Sequence, residues 1–415
     1  MQNNHYIIQD NRKHTGLLFL LLLLVFVMFF QSIIPGRYYV STVAIILWFP
    51  AIITNFNMLG KYNRSFIVFS LLFFILSLIY YVLGVSKTNS AFFIRTFVWL
   101  FSGIVSVYAI NIFSRNELKT VYVYFSIVLF AILLLFVLYG NNIILIKDDE
   151  ETVGSTWMGS IIMLLSGVFL ILSLNVKVIV PRLFFLFLFF LTLYVTMFVM
   201  QRATNVIFTI IEVAFVLIFS MNKRGVAWFL SLSLSGIFAF LYFSGLLINL
   251  LEWFASITTE RIAIRIQSII IALEFGDIDA GGGSFTRRSE LLAISWDTFT
   301  SNISSILFGV GEHKHGNEII GNHSFILDTL ASYGIIGGVL LFLYFKKQVQ
   351  IVLKYVDKRV DSVLFLQFVV VLALYIFRNF YGFLANACSV FIILIYIPLT
   401  IQVIQNYKIS KKLKL

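Results

Sequence analysis

Arg95, Arg202, Arg261, Arg265, Arg287, Arg288 and Arg378 come from five separated stretches of a chain in which only 12% of the residues are charged. A guanidinium offers a planar fork of N–H donors that pairs with two phosphate oxygens at once, which an ammonium cannot do. Arginines gathered near one membrane surface therefore read as a grip for a lipid-borne phosphate or pyrophosphate. His323 and Asp328, in "HSFILD", lead into an apolar helix. An imidazole, with an ordinary pKa of about 6.5, can accept the proton of an attacking hydroxyl. Five residues turn a helix through about 140°, so His323 and Asp328 do not face one ligand from the same helix. Asp328 could instead pair with an arginine across a cavity.

The elements that must hold these residues are membrane helices. Hydrophobic residues make up 60% of the 415, and the charged share is about half the roughly 25% of a soluble domain. Apolar runs near the ~20 residues that cross a bilayer recur along the chain. They predict an all-α polytopic membrane protein of about twelve transmembrane helices, near 16–35, 39–58, 66–85, 92–113, 120–139, 157–175, 183–201, 204–221, 226–248, 324–345, 362–380 and 386–406. The first run lacks a small-residue cleavage site and reads as a retained span rather than a signal peptide. Cys388 is the single cysteine, which excludes an internal disulfide framework and a multi-cysteine metal site.

Charge placement orients the spans. With both termini cytoplasmic, the inner segments collect Arg12, Lys13, Lys61, Arg64, Arg115, Lys119, Lys177, Arg182, Lys223 and Arg224. They also collect Lys346, Lys347, Lys354, Lys358, Arg359 and four lysines of the tail. This is the positive-inside pattern, so most of the net charge of +11 is a topology signal and nucleic acid is excluded as a partner. The seven arginines named first fall on the opposite, outer side, where positive charge is disfavoured. Arg202 is the strongest of them, because "MQRATN" turns tightly between two spans and leaves the charge no long tether; the other six have plainer readings. Arg95 and Arg378 lie near span ends and can snorkel to the interface; Arg261 and Arg265 can anchor a helix to acidic headgroups; Arg287 and Arg288 diverge by about 100°, so one at most faces a given ligand. Glu212, inside the eighth span, is more often an internally hydrogen-bonded carboxyl than a proton carrier, though an acid at that depth stands as a site hypothesis.

Three regions follow: spans one to nine over 1–248, an extracytoplasmic loop over 249–323, and spans ten to twelve with a basic cytoplasmic tail over 324–415. A loop of about seventy-five residues in a compact protein is usually functional. Within it, Ile262, Ile266, Ile269 and Leu273 form one helical stripe, as in a helix lying against membrane lipids. A second amphipathic helix places Leu292, Trp296, Phe299, Ile303 and Ile306 on a buried face. "GVGEHKHG" at 309–316 imitates a phosphate loop but follows no strand, so its glycines end the second loop helix. His313 and His315 with Glu312 and Glu318 match no strong zinc pattern and read as solvated loop; Asp277 and Asp279 resemble the carboxylate pair with which many sugar transferases hold a metal, but beside three glycines they too read as solvated loop. No metal or cofactor is expected.

The ordered set "MFVMQRATN", "TERIAI", "TRRSELLAISW", "LFGVG" and "HSFILDTLASYGIIGG" resembles the O-antigen polymerase and ligase superfamily, the Wzy-type polymerases and WaaL-type ligases. The likeness covers roughly residues 190–345 in motif and the whole chain in topology; where the family often has His-Asn, Asn322 precedes the histidine and Ser324 follows it. It implies a glycosyltransferase of the bacterial cytoplasmic (inner) membrane that polymerises undecaprenyl-pyrophosphate-linked repeat units of O-antigen, capsule or exopolysaccharide. Arg202, Arg288 or Arg287, and His323 match the family's span-end arginine, loop arginine and histidine. The implied partners are the lipid-linked donor and acceptor, a chain-length regulator and a flippase. A ligase would use the same residues. A lipid-linked oligosaccharide flippase is the rival from another class, but such transporters are built from repeated halves with short loops, and no internal repeat is evident here.

Overall fold

A computed structural model describes residues 14–30, 37–83, 90–139, 153–199, 203–220, 244–257, 263–264, 266–267, 270–271, 284–311, 314–315, 318–321, 324–356, 361–378 and 387–412. The chain is helical almost throughout these residues. In order come α1 (Thr15–Phe29), α2 (Arg37–Ile46), α3 (Phe49–Asn55), α4 (Lys61–Val82), α5 (Ser90–Ile112), α6 (Arg115–Tyr139), α7 (Val153–Asn175), α8 (Ile179–Tyr194) and α9 (Ala203–Ser220). Then follow α10 (Leu246–Ile257), α11 (Ser284–Thr300), α12 (Ile303–Phe308), α13 (Phe325–Lys354), α14 (Ser362–Arg378), α15 (Ala387–Phe391) and α16 (Ile397–Lys412). Single π turns extend α8 through Val199 and join α15 to α16. One two-residue antiparallel pair, Lys314–His315 with Glu318–Ile319, sets His315 opposite Glu318.

Seven helical segments among the described residues are long and apolar enough to cross a membrane. The ninth expected span falls largely outside the described residues, and the region boundary drawn at 248 lies inside α10. Several hydroxyls within the spans are satisfied locally, by carbonyls of their own helix. Ser70 and Ser106, for example, donate to the carbonyls four residues back. The turn into α6 is a capping box: Ser114 N–H donates to Glu117 Oε2 at 2.8 Å, and Glu117 Oε1 accepts the backbone N–H of His14 at 2.7 Å.

Burial sorts the helices. The segments Phe93–Ile112 and Ala387–Gln405 bury 78% and 89% of their most apolar windows, against 22% for Tyr38–Asn55 and 28% for Lys61–Val82. α5 and α15–α16 therefore form the centre, while α2–α3 and α4 present most of their surface outward. Aromatic rings fill that centre: Trp99 of α5 meets Phe73, Tyr344 and Phe325, and Tyr122, Phe125 and Phe169 pack round Tyr396. Cys388 donates to the carbonyl of Met28 near the end of α1.

α13 corrects the expectation of a simple tenth span. Gly334 within it has φ +63° and ψ −164°, which breaks the helix into residues 325–333 and 335–354. Trp99 lies 5.8 Å from the ring of Phe325 and 5.1 Å from that of Tyr344, whereas a straight helix would carry those two positions about 28 Å apart. The first half therefore folds back beside the second as a re-entrant helix. Its start sits beside Trp99, nine residues, or about 13 Å of helix, inside α5. Only residues 335–354 have the length of a crossing.

Candidate functional site

The re-entrant half-helix is built by its neighbours. Gly309, with φ +73°, ends α12, and a Cβ there would lie 2.3 Å from the carbonyl carbon of Ser332. A Cβ on Gly334 would lie 2.4 Å from the carbonyl carbon of Leu307. Gly309 thus lets its backbone touch the Ser332–Tyr333 peptide and Gly334 the Leu307–Phe308 peptide, each at a φ that other residues resist. The following N–H groups of Val310 and Gly311 donate to Ala331 and Ser332 carbonyls, both at 2.9 Å, and so satisfy the last turn of the half-helix. Tyr80 donates to Phe308 O, and Ser77 meets the Tyr333 hydroxyl at 3.2 Å, tying the crossing to α4. The segments "LFGVG" and "SYGIIGG", separate members of the ordered motif set, are one interlocked joint.

At its other end the half-helix begins with Ser324, whose hydroxyl accepts the N–H of Leu327 at 3.3 Å. Asp328, one turn on, is buried at 8% exposure, and its Oδ1 accepts the hydroxyl of Ser295 in α11 at 2.6 Å. The same hydroxyl accepts the N–H of Gly321 at 3.2 Å. Gly321 touches α11 so closely that a Cβ would lie 1.8 Å from Leu291 O. Ile320 before it is buried at φ +26°, a strained backbone for a β-branched residue. Phe299, Ile320 and Ala331 close the joint with an apolar cluster. α11 and the turn at Gly321 are thereby bolted to the half-helix.

A second cluster lies between α7, α9 and α14. Arg378, the last residue of α14, is buried at 3% exposure. Its Nε and Nη2 both donate to Asn205 Oδ1, at 3.0 and 2.8 Å. Asn205 stands in the first turn of α9 and presses on Gly159 of α7, where a Cβ would meet its Nδ2 at 1.8 Å. Seven residues further along α9, Glu212 is fully buried and accepts the hydroxyl of Ser166 at 3.0 Å, an internal hydrogen bond of the kind expected. Toward the far end, Gln367 donates to Val216 O at 3.3 Å and accepts from Asn175 at 3.2 Å.

The predicted site residues fall into three groups. Arg378 is described and is held, not snorkelling. Arg95 is exposed, with its guanidinium carbon 5.3 Å from the centre of the Tyr38 ring. Asp328 faces the Ser295 hydroxyl, a partner not anticipated from the sequence. Arg287 and Arg288 lie on the backbone of α11, but their side chains are outside the description. Arg202, Arg261, Arg265 and His323 lie outside the described residues, as do Asp277 and Asp279. Chain continuity still constrains two of them. Arg202 directly precedes α9, the helix that bears Asn205, and His323 directly precedes Ser324.

Two expectations about the loop change. The second amphipathic helix is two: α11 stops at Thr300, and Asn302 starts α12 by accepting the N–H of Ser305 at 2.9 Å. Trp296 and Ile303, expected inside, are 51% and 76% exposed. The docked face keeps Phe299 from the expected stripe and adds Ser295 in place of Trp296, because Asp328 supplies a polar partner that an apolar count does not weigh. The glycines of "GVGEHKHG" do end the loop helix, as expected. Among the described residues no group of three or more His, Cys, Asp or Glu is placed to hold a metal. Asn205, Ser295 and Gly321 were missed by sequence reasoning; the available signal was a polar or small residue interrupting an apolar helix face.

No family model matches the chain, and no curated protein matches it in sequence.

Proposed function

We propose that the chain is a membrane glycosyltransferase that polymerises polyprenyl-pyrophosphate-linked oligosaccharide repeat units on the outer face of the bacterial cytoplasmic membrane. In this reading the chain crosses twelve times with both termini cytoplasmic. The observation that carries the reading is the joint between loop and membrane: the helix bearing Arg287 and Arg288 is fastened by Ser295 to Asp328, one turn into the half-helix that His323 immediately precedes. A long outer loop fastened to a re-entrant helix is what a reaction between two lipid-linked substrates needs, since it fixes their headgroups at one depth.

The chemistry follows from the residues. Arg202 and Arg288, with Arg95 and Arg378, grip the donor pyrophosphate and stabilise the charge that develops on it as it leaves. Asn205 holds Arg378 in one orientation, which spares the entropy of ordering a long side chain. His323 accepts the proton of the acceptor hydroxyl. The acceptor oxygen forms its bond to the anomeric carbon as the bond from that carbon to the pyrophosphate oxygen breaks, so the bonding electrons leave with the pyrophosphate and the configuration inverts. Arginines supply the electrostatic role that a divalent metal fills in other sugar transferases.

The test is reconstitution in bilayers with a defined lipid-linked repeat unit, with and without chelator. A ladder of multiples supports the polymerase. A single transfer to a second acceptor makes the chain a ligase, and relocation without bond formation makes it a flippase. Arg202→Ala and His323→Ala should each abolish transfer while membrane insertion is retained. Loss of activity with chelator would overturn the metal-free mechanism and direct attention to Asp277 and Asp279.

A further inference from the structure

At the end of α4 away from the re-entrant joint, a cleft of about 510 Å³ is lined by Leu59, Gly60, Lys61, Arg64, Ser65, Val68 and Phe69, two cations and no carboxylate. Arg64 is pre-set there: its Nε donates to Leu59 O at 2.7 Å and its Nη2 to Asn57 O, which fixes the guanidinium plane and leaves the other N–H donors available. The neighbouring α13 adds charge to the same corner. Lys354 Nζ lies 3.9 Å from where a Cβ on Gly60 would stand, and Lys347 Nζ lies 5.3 Å from the centre of the Tyr62 ring.

The cleft opens onto an apolar track. Val68, Leu72, Ile75 and Ile79 are 44%, 43%, 48% and 46% exposed and follow one another along a single face of α4. From Val68 to Ile79 this face rises about 16 Å, close to the roughly 15 Å hydrocarbon depth of one leaflet. Cations at the foot and an apolar strip of acyl-chain length above them match a molecule with an anionic head and a hydrocarbon tail. A free phosphate would use only the foot, and a zwitterionic lipid would leave the charge unanswered.

We propose that this cleft is a binding site for one acidic phospholipid, whose phosphodiester sits between Lys61 and Arg64 of α4 and Lys354 of α13 while an acyl chain lies along Val68 to Ile79. The site is independent of the glycosyltransferase reading. Its consequence is mechanical: the lipid staples α4 to the crossing half of α13, the helix whose other half forms the re-entrant joint.

Native mass spectrometry of the full-length chain in detergent tests this, with phosphatidylglycerol and phosphatidylcholine of identical acyl chains as probes. Phosphatidylglycerol should bind the wild-type chain well above phosphatidylcholine. A basic residue near an anionic headgroup changes affinity about fivefold, so Lys61→Ala with Lys354→Ala should weaken phosphatidylglycerol binding roughly thirtyfold. Lys61→Glu should do at least as much while keeping the fold, because an acid in the first turn favours the helix it begins. Lys177→Ala with Arg182→Ala, an exposed cation pair at the start of α8, should change binding less than about twofold. Equal binding of the two lipids, equal loss in the α8 control, no loss in Lys61→Glu, or displacement of phosphatidylglycerol by millimolar inorganic phosphate would each overturn the proposal.

Discussion

Replacing Ser295 by alanine removes two hydrogen bonds at once, the donation to Asp328 Oδ1 at 2.6 Å and the acceptance from Gly321 N–H at 3.2 Å. A hydrogen bond to a charged group contributes about 1.5–3 kcal/mol, and the loss is felt in full because both partners are buried. If α11 undocks from the half-helix as a local unit, that energy appears as a rise of roughly 10- to 150-fold in the rate of backbone amide exchange. Hydrogen-exchange mass spectrometry in detergent should show the rise in peptides from 284–300 and 318–333 and leave those from α5 and α7 unchanged. Asp328→Asn keeps an acceptor oxygen at the same place and should cost less than tenfold. Ser295→Ala combined with Asp328→Ala should cost less than the sum of the two single changes, since the bond they share is lost only once, and should exceed Asp328→Ala alone only by the loss of the Gly321 bond. Unchanged exchange in α11 after Ser295→Ala, or a rise spread evenly over the chain, would refute the claim that this bond docks the loop.

Gly334→Ala forces φ +63° on a side chain and drives a Cβ to 2.4 Å from the Leu307 peptide, and Gly309→Ala does the mirror-image damage; either should lower the thermal midpoint by several degrees, about 1–3 kcal/mol for the strained backbone alone. Asn205→Ala strips Arg378 of the acceptor of two donors and should cost about 1.5–3 kcal/mol of stability. Asn205→Asp, which keeps an acceptor there, should restore most of it in a denaturation series. Gly167→Ala would set a Cβ 2.4 Å from Glu212 Oε1 and 2.7 Å from Val371, so the bundle should loosen by about 1–3 kcal/mol, read as a lower melting point of α7 and α14 peptides in exchange. On the functional side, Arg95→Ala should leave the melting temperature within a degree or two, because its guanidinium is exposed over Tyr38, and should lower transfer in the reconstituted assay if Arg95 helps hold the pyrophosphate.

Hydropathy and spacing by themselves determined the class of the molecule. Runs such as Lys61–Val82 and Arg115–Tyr139 are helical because a helix satisfies every backbone group within the segment, though both helices begin five residues before the spans expected at 66 and 120, in polar first turns that hydropathy does not count. The helix-ending glycine at 309 was also legible, since it depends on residues within one or two turns. The glycine inside "SYGIIGG" was a visible interruption of an apolar run, yet periodicity alone does not distinguish a pause from a reversal.

Tertiary structure decided the rest. Residues 325–333 turn back rather than cross because Gly309 and Gly334 let two backbones touch, and that contact joins positions 25 residues apart. Ser295 rather than Trp296 faces inward because Asp328 waits on the other helix. Arg378 is buried rather than snorkelling because Asn205 meets it from 173 residues away. The physical reason is common to all three. Lipid tails and a protein interior are equally apolar, so hydropathy places a segment in the membrane without saying which face meets protein. That choice is made by small residues that permit close approach and polar residues that find one partner, and both act across the chain.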